Sequence, residues 1–110
     1  MTLPHASLAV IEPSKVRGYL LSAAHPVGRF KAAVFVALGY SGERWELLRD
    51  DLLAIAYTGT AVPGQPSQFG QKFHVDGILV GPSGRAASFR TVWIVKAEDE
   101  APRFVTAFPR

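Results

Sequence analysis

Three segments near the C-terminus decide the fold: Phe69–Val80 (FGQKFHVDGILV), Arg85–Lys96 (RAASFRTVWIVK) and Arg103–Phe108 (RFVTAF). Each is rich in β-branched and aromatic residues, which suit a pleated and half-buried surface. Gly81-Pro82-Ser83-Gly84 joins the first two as a turn, and the polar run Glu98 to Pro102 joins the last two. Connections this short imply an antiparallel meander. Strand residues alternate sides. The first strand sets Phe73, Val75 and Leu79 against Lys72, His74 and Asp76, with Gly77 read as a bulge. The second sets Phe89, Thr91, Trp93 and Val95 against Arg90, Val92, Ile94 and Lys96. It is apolar on both sides near Trp93, which predicts a central strand. The third sets Phe104, Thr106 and Phe108 against Arg103, Val105 and Ala107.

The residues before these segments read as helical. Pro13 suits a first helical turn, and Val16, Tyr19 and Leu20 follow at helical spacing. His25-Pro26-Val27-Gly28 is a break, because the proline disfavours helical geometry at His25. A second helix is predicted over about Arg29 to Leu38, its buried stripe formed by Phe30, Val34 and Ala37 or Leu38, with Gly39 as its stop. Ser41 reads as the N-cap of a third helix, Gly42 to Tyr57, lined by Trp45, Leu48, Leu52, Ile55 and Ala56. Thr58 to Gln68, with two glycines and two prolines, reads as a loop. The expected fold class is therefore α+β: N-terminal helices packed on a C-terminal antiparallel sheet.

A length of 110 residues suits one domain spanning 1–110. Such a chain buries roughly 65% of its unfolded surface, enough for one core. There is no cysteine, which excludes disulfides, thiolate metal sites and cysteine nucleophiles. No 18-residue apolar run exists, and Met1 to Val10 lacks the pattern of a signal peptide. A cytoplasmic protein without a membrane span is the expectation. The net charge of +3 hides an asymmetry. Between Pro13 and Gly42 stand Lys15, Arg17, Arg29 and Lys31 and no acid. On one face these cations would suit a polyanion; scattered, they are ordinary surface charge.

His25-Pro-Val-Gly-Arg29-Phe-Lys31 carries the most specific chemistry. It sets an imidazole ahead of a helix start that bears a guanidinium and an ammonium. Helix starts attract anions, cations add charge-assisted hydrogen bonds, and histidine moves protons near neutral pH. These parts fit a phosphodiester. The bland alternative is a loop histidine beside two surface cations. Metal chemistry has little support: His5, His25 and His74 lie far apart, and His74 with Asp76 supplies only two ligands. No metal site and no cofactor are expected. No Walker loop, dinucleotide fingerprint or nucleophile elbow occurs, and Asp50, Asp51 and Glu98 to Glu100 read as solvated charge.

HPVGRFKAAVF (His25 to Phe35) and TVWIV…PRFVTAFP (Thr91 to Pro109) resemble an uncharacterised bacterial domain family of about this length. The matching positions are Tyr19-Leu20-Leu21, His25-Pro26, Gly28, Lys31-Ala32, Phe35, Trp93, Arg103, Val105-Thr106-Ala107 and Pro109. The VTAFP ending is also similar to the last strand of toxin ribonucleases of the barnase–EndoU–colicin–RelE superfold. That resemblance implies helices before an antiparallel sheet and RNA cleavage without metal. It makes His25 a general base or acid, Lys31 a transition-state cation and Thr106 the last-strand hydroxyl. Arg29, Arg90 and Arg103 become candidate substrate contacts. One departure stands out: many EndoU-like members use two histidines, and the matching motif here holds one. His74, Arg90 or Arg103 are the candidates to substitute.

The leading expectation is a metal-independent endoribonuclease of toxin type, with RNA as substrate and a cognate antitoxin as partner. The alternative is a non-catalytic binding module on the same fold, such as an antitoxin, an immunity protein or a complex subunit. RNA binding without cleavage is a third reading, with Phe69, Phe73 and Phe89 stacking bases. Those three sit at period-2 positions, so core packing is expected of them instead.

Overall fold

The computed structural model describes residues 1–25 and 29–110, with the side chains at 29 and 30 outside the description. Helix α1 opens as Pro13–Lys15 and widens into a π-helical turn over Val16–Leu20. The widening is explicit in Leu21 N–H, which donates to Val16 O at 2.9 Å, five residues back. Helix α2 spans Arg29–Ala37 and α3 spans Trp45–Thr58. Four strands follow: β1 Ala61–Ser67, β2 Gly70–Val80, β3 Ala86–Val95 and β4 Arg103–Pro109. They form one antiparallel sheet in the order β1-β2-β3-β4. The fold is α+β, helices first and sheet second.

Strand β1 replaces the loop expected over 58–68. Its prolines concealed it. A proline cannot donate to a ladder, so prolines enter sheets only at edges and irregularities. Here β1 is an edge strand, and its register to β2 shifts between Pro63 and Pro66. Gly77 is not a bulge: the β2–β3 pairing runs unbroken from Gln71↔Val95 to Val80↔Ala86. Its missing side chain serves packing instead, since a Cβ there would sit 2.8 Å from the Ile55 side chain of α3.

The bulge lies in β4. Trp93 pairs with Phe104 and Val92 with Thr106, so Val105 is the extra residue. This corrects the expected faces. Phe104 and Ala107 enter the core together, while Thr106 and Phe108 turn to the other side.

The core lies between the helices and one face of the sheet. Val16 and Leu20 of α1, Leu48, Leu52, Ile55 and Ala56 of α3, and Phe73, Val75, Leu79, Phe89 and Trp93 of the sheet fill it. Ring pairs organise it: Phe35 stacks on Phe89 at 5.1 Å, and Phe104 meets Trp93 edge-on at 5.3 Å. Among the described residues of α2 and the turn that ends it, Ala32, Phe35 and Leu38 are buried and Val34 packs half-buried on the core; Leu38 and Val34 belong to the expected stripe, Ala32 and Phe35 widen it, and the side chain of Phe30, also expected there, lies outside the described residues. Lys31 thus flanks the buried side and is itself half-buried. Gly39 ends α2 with φ +99°, as a C-terminal stop requires. Helix α3 begins three residues later than expected; the Ser41 hydroxyl accepts from Arg44 N–H and closes a turn ahead of it. Phe73 and Phe89 are core residues, but Phe69 is not. It stands 68% exposed between β1 and β2.

Thr91 is a fully buried polar residue at the centre of this core. Its hydroxyl donates to Val75 O at 2.7 Å and accepts from Trp93 Nε1–H at 2.8 Å. The hydroxyl therefore solves the hydrogen bonding of the buried indole. Thr91→Val keeps the shape but orphans that N–H, at a cost of about 2 kcal/mol. Thr91→Ser loses only a methyl group, at about 1 kcal/mol. Urea denaturation should rank the proteins wild type, Ser, then Val; a Val variant as stable as wild type would contradict the assignment.

Candidate functional site

Helices α1 and α2 meet β4, the last strand of the sheet, whose start is paired with Val10, and a polar cluster forms there. Lys31 Nζ donates to Thr106 Oγ1 at 2.7 Å and to Tyr19 Oη at 2.9 Å. The two hydroxyls lie 3.1 Å apart. The three polar groups thus close a triangle of short contacts, one corner each from α1, α2 and β4. The Lys31 ammonium also lies 5.2 Å from the Tyr19 ring centroid and 5.7 Å from that of Phe108. Lys15 approaches the same tyrosine ring at 5.8 Å. The His25 ring meets Tyr19 edge-on, with centroids 5.0 Å apart. A cavity of about 650 Å³ lies against the two hydroxyls of the cluster, walled by Lys15, Tyr19, His25, Val105 and Thr106 among others, while Lys31 stands behind them and does not line it.

The electrostatics of Tyr19 follow from this geometry. Burial pushes its phenol up. The hydrogen bonds with Lys31 and Thr106, together with the charges of Lys31 and Lys15, outweigh that and leave it below its ordinary value. Among the described residues Lys31 has no carboxylate partner. Two neutral oxygens hold its charge.

The other arginine candidates are engaged differently. Arg90 donates to both oxygens of Asp76, at 2.8 and 3.1 Å, and Arg110 joins the same carboxylate. Arg103 is held by Asp99 at 2.8 Å and by Glu12 at 3.0 Å. Asp99 sits below the ordinary carboxylate range, because the Ala101 N–H and then the Arg103 guanidinium favour its charged form. Neither arginine contributes to the Lys31 cluster. Arg29 opens α2, but its side chain lies outside the described residues, as do Pro26, Val27 and Gly28 of the sequence motif.

His74 faces the same side of the sheet as Thr106, with Val92 between them in register. Two strand spacings separate them, about 10 Å. Burial, then the Arg90 charge, lowers its imidazole below the usual range. Among the described residues no three potential metal-ligating side chains gather.

The structure therefore brings His25, Lys31 and Thr106 to one place and leaves Arg90 and Arg103 in ion pairs elsewhere. Sequence reasoning missed Tyr19, which reads as a stripe residue beside Val16 and Leu20. The signal was its amphipathic character: a partly buried tyrosine needs a partner for its hydroxyl.

The sequence model of a family described as a domain of unknown function, DUF6883, matches residues 2–110. The chain belongs to this family. A search of curated proteins finds no match. Among solved structures, the DUF6883 chain is similar to one chain of a contact-dependent growth inhibition toxin–immunity protein complex from Klebsiella pneumoniae 342. The TM-score is 0.73 at 20% identity, covering 93% of this chain and 100% of that one. At that identity the likeness is one of fold. No helix among the described residues is long and apolar enough to cross a membrane.

The triangle makes a spectroscopic prediction. In Lys31→Met the donor and its charge are gone, and the burial that opposes ionisation remains. The Tyr19 phenol should then titrate at higher pH than in wild type. The tyrosinate absorbance of each protein, minus that of its Tyr19→Phe derivative, isolates this group. Thr106→Val should move it the same way by less. An unmoved Tyr19 titration in Lys31→Met would mean that the ammonium does not sit against the phenol in solution.

Proposed function

We propose that this chain is a metal-independent endoribonuclease of toxin type, acting on RNA in the cytoplasm and held in check by a cognate partner protein. The observation that carries the proposal is the Lys31 ammonium, half-buried and held by two hydroxyls, with no carboxylate partner among the described residues. An ammonium has three N–H donors, and two point at neutral oxygens. Its charge is unspent in a way that those of Arg90 and Arg103 are not. A phosphodiester is the anion that suits an ammonium, a hydroxyl and an adjacent imidazole.

In this reading the RNA 2′-hydroxyl attacks the adjacent phosphorus and loses its proton to His25. The new O–P bond forms as the P–O5′ bond breaks, leaving a 2′,3′-cyclic phosphate. Lys31 takes a non-bridging oxygen and stabilises the charge that builds there. Thr106 holds the ammonium in place and offers its hydroxyl to the same phosphate. Tyr19, whose phenol ionises more readily than usual, hands a proton to the departing 5′-oxygen. The need for a 2′-hydroxyl restricts the reaction to RNA.

The fold likeness to one chain of a toxin–immunity complex supports a toxin-related role, and a partner protein with it. The same likeness leaves room for the second reading, a non-catalytic binding module. Exposed apolar side chains on the sheet favour that reading: Val62, Ile78 and Phe108 are 44%, 65% and 37% exposed.

Purified protein incubated with total RNA and tRNA in EDTA separates the two. Wild type should cleave and leave cyclic phosphate ends. Lys31→Ala should lose about 10²–10³-fold in rate and His25→Ala about 10²–10⁴-fold. A 2′-deoxy residue at the scissile position should abolish cleavage. A folded wild type that cleaves nothing, and is tolerated when expressed, would move the assignment to the binding module.

A further inference from the structure

A second cavity, of about 770 Å³, adjoins the one beside Tyr19, His25 and Thr106 and shares Lys15 and Val105 with it. It lies at the end of the sheet where the β1–β2 turn faces the β3–β4 connection. Gln68, Phe69, Ile94 and Lys96 add to its walls. Phe69 is the feature that needs explaining. Its ring is 68% exposed, the largest exposure among the large apolar side chains of the described residues. It is nevertheless presented by an ordered turn. The Ser67 hydroxyl accepts from Phe69 N–H at 3.1 Å, and Gly70 follows at φ +136°, where a Cβ would strike Val95 O at 2.4 Å. The turn is locked against β3 and holds the ring out over the groove.

The charges of the groove point to what it takes. Lys15, Lys96 and Arg103 are matched by Glu12, Glu98 and Asp99, and Arg103 is already committed to Glu12 and Asp99. A lining that sums to neutral does not select a phosphate. It suits a neutral, flat group with hydrogen-bonding edges, placed between an aromatic face and the apolar walls of Ile94 and Val105. Gln68, beside the ring, carries an amide that can both donate and accept.

We infer that this groove is a base-binding subsite, in which Phe69 stacks a nucleobase of the RNA strand whose scissile phosphate is held at Lys31 and Gln68 meets the edge of that base. The inference rests on the ribonuclease reading for the identity of its ligand. Lys15, common to both cavities, marks where the nucleotide passes from one to the other. Stacking on an aromatic face tolerates every base, so Phe69 supplies affinity and Gln68 the preference between bases.

The test separates binding from cleavage. Short 2′-O-methyl oligonucleotides carrying one 2-aminopurine are titrated with wild type, Phe69→Ala, Phe69→Trp and Gln68→Ala. The 2′-O-methyl group prevents cleavage. Stacking quenches 2-aminopurine, so wild type should quench the probe at one position of the oligonucleotide. Phe69→Ala should lose the quench and bind about fivefold more weakly or worse, while Phe69→Trp should keep both. Gln68→Ala should keep the quench and flatten the preference among bases flanking the probe. Cleavage of natural RNA is measured in parallel, where Phe69→Ala should raise KM more than it lowers kcat. If wild type cleaves RNA but Phe69→Ala changes neither quench nor KM, the subsite is wrong and the ribonuclease reading stands. If wild type cleaves nothing but quenches the probe through Phe69, the ribonuclease reading fails and the subsite survives. If no protein quenches or binds the probe, the subsite is overturned.

Discussion

One extra residue in β4 decides where the polar cluster can form. Strand alternation without interruption would put Phe104 and Thr106 on the same face. Both would then enter the core, and a threonine hydroxyl would need a buried partner. The Val105 bulge breaks that parity. Phe104 turns inward to Trp93, and Thr106 turns outward at the sheet edge within reach of α1 and α2. The core gains an aromatic pair and the edge gains a hydroxyl from the same six-residue stretch. Removing the bulge would force a choice between them.

The second constraint is the rotation of α2. Its buried stripe runs through Ala32, Phe35 and Leu38. Phe35 is fixed by its stacking on Phe89, and that contact sets the angle of the whole helix about its axis. Lys31 precedes Ala32 by one residue, about 100° round the helix. Its stem is thereby laid along the core boundary, and its head is delivered to the sheet edge. An ammonium there loses part of its hydration, which costs free energy unless hydrogen bonds replace it. Tyr19 and Thr106 supply them. A carboxylate would have done so more strongly. Two neutral hydroxyls leave the cation's charge uncompensated among the described residues, which is the opposite of what Asp76 does to Arg90 and Arg110.

Much of this was legible in the sequence, and the failures have physical causes. The three C-terminal strands and the central place of Trp93 followed from side-chain chemistry with period 2. Helix α3 followed from its stripe of Leu48, Leu52 and Ile55. Strand β1 was hidden because proline normally forbids a ladder and is tolerated only at an edge, and edge position is a property of the whole sheet. The β4 bulge was invisible because nothing in RFVTAF marks Val105 as the residue to be skipped; the parity change is imposed by what Phe104 and Ala107 must fill. Phe69 misled for the opposite reason. It keeps the period of Phe73 and Val75, but the strand begins at Gly70, and a periodicity means nothing beyond the end of its strand. Of the candidate residues that lie together, His25 and Lys31 stood out by the chemistry of their own segment and Thr106 by a resemblance of motif, whereas Tyr19 needed the geometry, because a helix stripe does not say where a hydroxyl will end.

The neutral oxygens around Lys31 also bear on which reading of the fold is the more economical. A binding module needs shape and apolar area, and the exposed side chains of the sheet supply some of both. Such a module does not by itself call for a half-buried ammonium with no carboxylate partner among the described residues, since methionine in place of Lys31 would fill the same space without the desolvation cost. An anion-processing site does call for one. The cation must be held still, so that its field is aimed before the substrate arrives, and it must not be neutralised, or the field is lost. Hydrogen bonds to two hydroxyls meet both conditions at once. The placement of those hydroxyls on different elements, α1 and β4, means that the packing of the whole domain is what keeps the ammonium aimed.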